Sequence, residues 1–318
     1  MPKRRVFACS KGSIFMHDQL QQAADHRKGL MITAIGGLVL TVDIPLIRLA
    51  QSDAWSALAV RSALTFLAAV IAWSVIRFAF RRKIPVIPGK AGLLVVTLYG
   101  VASITFMLAV FNTSTANLVF ILAFNPMFSA LLAWWLVGEK PKPQTFAAMV
   151  AMIFGVGLIV SDSIESGNLT GDLLALASSF ILAGAITASR KARTDMGFAP
   201  LFAAVAPSMI GLIMVGGPTG LVLGEPGWLV LNGLIIIPIA FWCLATGPRY
   251  ISGPEVAMFY LLETILAPIW VWMIFSEAPT QRGLTGGAII VVALVGHSLW
   301  QLLAHRRAVR SLAPRHPI

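Results

Sequence analysis

The chain has 318 residues, 58% of them hydrophobic and 12% charged, and its 24 Lys and Arg against 13 Asp and Glu leave a net charge of +11. Soluble domains carry roughly a quarter charged residues, so water is excluded as the solvent for most of this chain. The basic surplus calls for no nucleic-acid partner, because Lys and Arg that flank apolar runs report orientation in a bilayer.

The first 28 residues form a basic tail with no continuous apolar stretch before Asp18, which argues against a cleaved signal peptide. Met16 is an alternative start. A spanning helix needs roughly 20 apolar residues. Apolar runs of about that length fall at 29–50, 55–77, 91–111, 115–137, 144–162, 171–189, 199–221, 228–248, 254–275 and 284–303. They predict an all-α membrane protein with ten transmembrane helices, since backbone polar groups in lipid must be satisfied within each segment. Residues 304–318 form a second basic tail. Of all the Lys and Arg, only Arg282 falls in an outer loop, and Arg48 and Arg61 fall within spans. The others occupy the tails and the alternate loops. This asymmetry predicts an inner (cytoplasmic) membrane protein with both termini cytoplasmic. Trp55, Trp228 and Trp270 near outer ends, and Trp73, Trp134, Trp135 and Trp300 near inner ends, suit an interfacial belt.

Two segments resemble each other, STANLVFILAFNPMFSALLAWWLVGEKP from Ser114 and SGPEVAMFYLLETILAPIWVWMIFSEAP from Ser252. At an offset of 138, Ser114 meets Ser252, Trp134 meets Trp272, Glu139 meets Glu277 and Pro141 meets Pro279. Five spans separate the copies. Because five is odd, the second copy enters the membrane from the opposite side, which predicts two inverted five-helix repeats at 29–162 and 171–303. Such repeats let one central site face either side in turn.

Ionisable groups inside spans are the informative residues, because a charge at the bilayer centre costs about 3 kcal/mol on insertion scales. Asp43, Arg61, Glu255 and Glu263 qualify. Asp43 lies roughly 10 Å below the outer end of the first span, and Arg61 roughly 9 Å into the second, at 1.5 Å per residue. The matched depths predict a bidentate ion pair, with Arg48 as the competing partner. Glu255 follows Pro254 and reads as a first-turn carboxylate favoured by the helix dipole. Glu263 sits mid-span, and its repeat partner is Asn125 beside Pro126, so the two are candidate walls of a substrate site. His297 is the one histidine within a span. Pro45, Pro126, Pro207, Pro238 and Pro268 are hinge or kink candidates. Small residues at Ala147, Ala151, Gly155, Gly286, Gly287 and Gly296 suit close helix contact, with a dimer face as one candidate use.

No metal-binding or nucleotide-binding motif is present, and the isolated Cys9 and Cys243 give neither a disulfide framework nor a metal pair. No cofactor is expected.

The patterns P-x-F-x-A-L-L-A-x-x-x-x-G-E over Pro126 to Glu139 and P-E-V-A-x-x-x-L-L-E-x-x-x-A-P-x-W over Pro254 to Trp270 resemble the drug/metabolite transporter superfamily, ten-helix type with two EamA domains. Pro126, Glu139, Pro268 and Glu277 are the structural motif residues of that resemblance, and Arg61 also fits it. Ser276 departs, standing where Gly usually precedes the second Glu. The resemblance implies a central cavity between the halves, no ATPase, and export of a small organic metabolite, such as an amino acid or drug, by alternating access. Asp43, Arg61, Asn125, Glu263 and His297 are then the candidate substrate or translocation residues. The partners are a small-molecule substrate and the lipid bilayer, with protons as a candidate coupling ion and a homodimer as a candidate assembly. An intramembrane enzyme and a non-transporting receptor or scaffold are the alternatives.

Overall fold

The structure, a computed structural model, describes residues 25–79, 81, 87, 89–138, 140–192, 198–246, 250–251 and 253–312. Residues 1–24 and 313–318 of the tails, Glu139, and the loop residues Arg82, Lys83, Arg193 and Arg249 lie outside that set. Ten helical rods follow one another: α1 (Asp25–Leu49), α2 (Ala54–Phe78), α3 (Gly89–Asn112), α4 (Thr115–Leu136), α5 (Pro143–Ser166), α6 (Leu169–Ala192), α7 (Ala199–Met214), α8 (Pro226–Leu244), α9 (Gly253–Phe275) and α10 (Gln281–Leu312). Among the described residues nine are long and apolar enough to cross a membrane, and α7 is shorter. The span expected over 199–221 ends at Met214 because Gly216 (φ 79°) and Gly217 (φ 102°) turn left-handed ahead of Pro218.

The helix starts are locally encoded. Asp53 caps α2, accepting from the Trp55 and Ser56 backbone N–H groups at 2.9 and 3.1 Å. Burial raises its pKa, but the hydrogen bonds to Ser56 and Trp55 together outweigh this and leave the carboxyl below its ordinary value. Ser114 caps α4 through the Asn117 N–H at 3.2 Å.

Proline decides where the rods break. Its ring removes an N–H donor and crowds the carbonyl four residues earlier. The ladder is interrupted at 41–42 ahead of Pro45, at 123–124 ahead of Pro126, and at 203–204 ahead of Pro207. In α8 a π-helical segment, Asn232–Ile236, precedes Pro238. Only Pro268 sits inside an unbroken helix. Asp43, Asn125 and Asn232 all stand at such breaks, where freed backbone groups need partners in a medium without water.

The repeat is visible in register. Helix α4 starts at Thr115 and α9 at Gly253, and α5 starts at Pro143 and α10 at Gln281, so each pair keeps the offset of 138. Equivalent helices run antiparallel. The Glu277 carboxylate, just past the end of α9, accepts from the first N–H of α4, that of Thr115, at 3.0 Å. Along α5 and α10, Thr145 meets His297 at one end and Glu165 meets Arg282 at the other. Midway, a Cβ on Gly155 would stand 2.7 Å from the Gly286 carbonyl oxygen, and one on Gly286 would stand 2.5 Å from the Gly155 oxygen. The small-residue stripe at these two glycines is thus occupied inside the chain. Around the shared core, which includes Ile44, Leu58, Met107, Leu118, Met127, Met152 and Ile290, the outer surface exposes large apolar side chains such as Trp135, Ile213 and Val292, as a lipid-facing surface requires.

Gly138 and Ser276 occupy equivalent positions, with φ of 81° and 56°. Left-handed backbone costs a non-glycine residue about 1 kcal/mol, part of which glycine's greater unfolded-state freedom offsets. Ser276→Gly is expected to raise the thermal midpoint of the detergent-solubilised protein by about 2 °C. An unchanged or lowered midpoint would show that Ser276 is not strained there.

Candidate functional site

The first break in α1 places Asp43 where α2 brings Arg61. Arg61 Nη2 donates to Asp43 Oδ1 at 3.0 Å and Oδ2 at 2.9 Å, while its Nε donates to Asn232 Oδ1 at 2.8 Å. The Asn232 amide donates in turn to Asp43 Oδ1 at 2.7 Å and to the Asp43 carbonyl at 3.1 Å. The depth match is met in geometry, but the expected two-nitrogen fork on one carboxylate is not, because Asn232 takes the Nε–H. Exposures of 3% for Asp43, 8% for Arg61 and 0% for Asn232 make this a closed, desolvated ring. The Phe106 ring lies 5.7 Å from the guanidinium carbon, adding a cation–π contact.

Asn232 was not among the sequence candidates. Its signal was available, as the only carboxamide in the apolar run 228–248, just ahead of Pro238. What delivers it is the next residue: a Cβ on Gly233 would stand 2.7 Å from the Arg61 carbonyl oxygen, so α8 and α2 meet backbone to backbone.

Helix α9 runs parallel to α1 and closes the other side. A Cβ on Gly37 would stand 2.7 Å from the Phe259 carbonyl oxygen, and Trp270 Nε1 donates to Thr41 Oγ1 at 3.2 Å. Trp270 therefore works inside the bundle, not only as the interfacial anchor expected of it. Glu263 lies one turn after Phe259 and two turns before Trp270, on the same side of the helix. It is half-buried, and its carboxylate makes no hydrogen bond or ion pair to a described residue, although Asp43 and Arg61 both act on it electrostatically. Tyr260, one turn earlier on α9, keeps 43% of its surface accessible.

The remaining candidates lie elsewhere. The Asn125 amide donates to the Ser179 carbonyl of α6 at 2.8 Å, so it braces the α4 break, and no hydrogen bond joins it to Glu263. His297 meets Thr145 Oγ1 at 3.0 Å within the α5–α10 contact, and no hydrogen bond joins it to the Asp43 ring. Glu255 stands in the first turn of α9 with His26 at 3.6 Å.

Glu277 joins the two halves at the end of the bundle away from the termini. Arg48 pairs with it and also donates to the Thr113 carbonyl at 2.9 Å and the Val110 carbonyl at 3.2 Å. Arg48 is therefore not Asp43's partner and does not simply snorkel to the surface. Beside it, fully buried Asp172 accepts from Thr113 Oγ1 at 2.5 Å and Ser163 Oγ at 2.6 Å, a network that sequence reading missed because Asp172 stands at an expected span boundary. Pro126 is exposed at the start of the second piece of α4, and Pro268 lines a cleft of about 300 Å³ between α9 and α10. A similar cleft of about 240 Å³ lies among α4, α5 and α6. Both are almost wholly apolar, so neither offers the polar groups that orient a hydrophilic solute.

The profile of the EamA-like transporter family matches residues 27–161 and again 169–299. A comparison with curated proteins returns no match. A crystal structure of a protein with no function in its description is similar over 85% of this chain and 96% of its own, at 17% identity and a TM-score of 0.57, and carries the likeness in fold alone. Two family matches, one on each antiparallel five-helix half and together covering most of the chain, mean that this protein belongs to the EamA-like transporter family.

Proposed function

We propose that the protein is a secondary transporter or facilitator that exports a small organic metabolite across the inner membrane by alternating access, with both termini cytoplasmic. The observation that carries this reading is the desolvated Asp43–Arg61–Asn232 ring, built at the breaks of α1 and α8, with Glu263 on the side of α9 turned to α1 and without a partner among the described residues. A polar centre at broken helices between antiparallel repeats is the arrangement that alternating access needs. The family supports solute transport in general. The Lys and Arg asymmetry supports the orientation.

The test is flux of radiolabelled metabolites into and out of proteoliposomes holding the purified protein. At least one solute is expected to cross chemically unchanged, saturably, and not with Arg61→Ala protein that has passed a folding check. In cells, cysteines at Ser166 or Glu225 should react with an impermeant reagent while one at Arg82 does not. Conversion of the solute would make the protein an enzyme, absence of flux for every solute would remove the transport reading, and the reverse labelling pattern would invert the topology.

A further inference from the structure

Charge accounting at the centre of the bundle leaves one group over. Asp43 and Arg61 neutralise one another, and Asn232 occupies the guanidinium Nε and an Asp43 oxygen. Glu263 is then the one carboxylate of that region without a hydrogen-bonding or ion-pairing partner among the described residues. A bare charge at this depth is costly, so the site favours whatever positive group can reach it.

The surroundings narrow what that group is. Tyr260 stands one turn before Glu263, on the same side of α9, with its ring partly accessible. From the other half of the protein, α3 contributes Tyr99, half-buried. Phe106 follows Tyr99 two turns later on the same side of α3, and its ring already faces a cation, the Arg61 guanidinium. A carboxylate with aromatic side chains near it is a pairing that recognises an ammonium, through charge at one pole and ring quadrupoles beside it. A substrate carboxylate finds no equivalent partner, because Arg61 is committed to Asp43 and Asn232.

We infer that Glu263, with Tyr99 and Tyr260, forms a binding site for an organic ammonium ion lacking a carboxylate, such as a protonated aryl- or alkylamine. This names the substrate class for the transport reading given above and rests on it. Both halves of the chain contribute: α3 supplies Tyr99 and α9 supplies Glu263 and Tyr260. Ordinary zwitterionic amino acids bind more weakly than the corresponding amines, because their carboxylate would face Glu263 and Asp43 without a free cation.

The experiment uses the full chain in lipid nanodiscs and three probes that share one aromatic body and differ in charge: phenethylamine, phenylalanine and phenylacetate. Binding is read by thermal shift and by equilibrium dialysis near pH 8. Phenethylamine is expected to bind saturably and at least about tenfold more tightly than either other probe. Glu263→Gln should lose at least about tenfold in phenethylamine affinity while keeping its elution profile and thermal midpoint. Should that variant not fold, Tyr260→Ala serves instead, with an expected loss of about fivefold. Equal or tighter binding of phenylalanine or phenylacetate, binding of none of the three at millimolar concentration, or undiminished phenethylamine affinity in the folded variants would each overturn the inference. Flux measured in parallel separates the two ideas. Transport of another solute with no amine binding removes only the ammonium site, whereas amine binding with no flux of any solute removes the transport reading and leaves the site standing.

Discussion

Asp43→Asn is expected to destabilise the protein by about 3–5 kcal/mol, because it leaves the Arg61 guanidinium, 8% exposed, without its counter-charge. The water that would solvate a freed guanidinium elsewhere has no access to this ring, and Asn232 can offer its single acceptor oxygen only. Arg61→Ala should cost a similar amount by stranding Asp43. Asn232→Ala should cost less, about 1.5–3 kcal/mol, since it removes hydrogen bonds to the two charged groups but keeps the ion pair. Removing both charges with residues of matched size, as in Asp43→Asn with Arg61→Met, should recover at least half of the loss, because a buried pair is worth far less against a neutral substitute than against one stranded partner. The yield of monodisperse protein and its thermal midpoint read these differences. Flux in the double variant then divides the roles: stable but inactive protein assigns the pair to transport, and stable active protein assigns it to packing. Single variants that fold and transport like the parent would show that the ring contributes neither.

Glu277→Ala is expected to open the end of the bundle away from the termini. In the present conformation this carboxylate holds the first N–H of α4 and the guanidinium of Arg48, which in turn holds two carbonyls at the end of α3. The two Glu277 bonds join the second half to the first, so on the transport reading they break when that end opens. Both side chains are less than a third exposed, and a charge-assisted bond in such a setting contributes about 1.5–3 kcal/mol. Losing it should shift the balance toward the opened conformation about tenfold or more, at 1.4 kcal/mol per decade. A cysteine placed at Phe106, in protein whose Cys9 and Cys243 are replaced by alanine, should label at least about tenfold faster from that side in Glu277→Ala than in the parent. Glu277→Gln, which keeps an acceptor for the Thr115 N–H, should fall between. Identical labelling rates in all three would mean that other contacts hold this end shut.

Much of this architecture is written in periodicity and composition. The lipid environment requires long apolar runs with internally satisfied backbones, so nine of the ten spans can be placed within a few residues by hydropathy alone. The offset of 138 is likewise a property of the sequence, and the helix starts keep it although their local signals differ, with Pro143 opening α5 and Thr280 accepting from the Gly283 N–H at the start of α10. Even the Asp43–Arg61 contact follows from chain distance, since two antiparallel neighbours joined by a short loop must place equal depths side by side.

Tertiary structure decided what lies far apart in the chain. Asn232 is 171 residues from Arg61 and Glu277 is 229 from Arg48, and no local rule selects such partners. They are chosen by how closely helices approach, which at Gly233 depends on the absence of one Cβ. Asn125 and Glu263 show the converse. Equivalent in the repeat, they differ in surroundings, because the break in α4 turns Asn125 toward the Ser179 carbonyl while unbroken α9 leaves Glu263 without a partner among the described residues. Sequence symmetry sets equal depth in the membrane, and packing against non-equivalent neighbours decides which of the two polar groups is bound to a neighbouring helix.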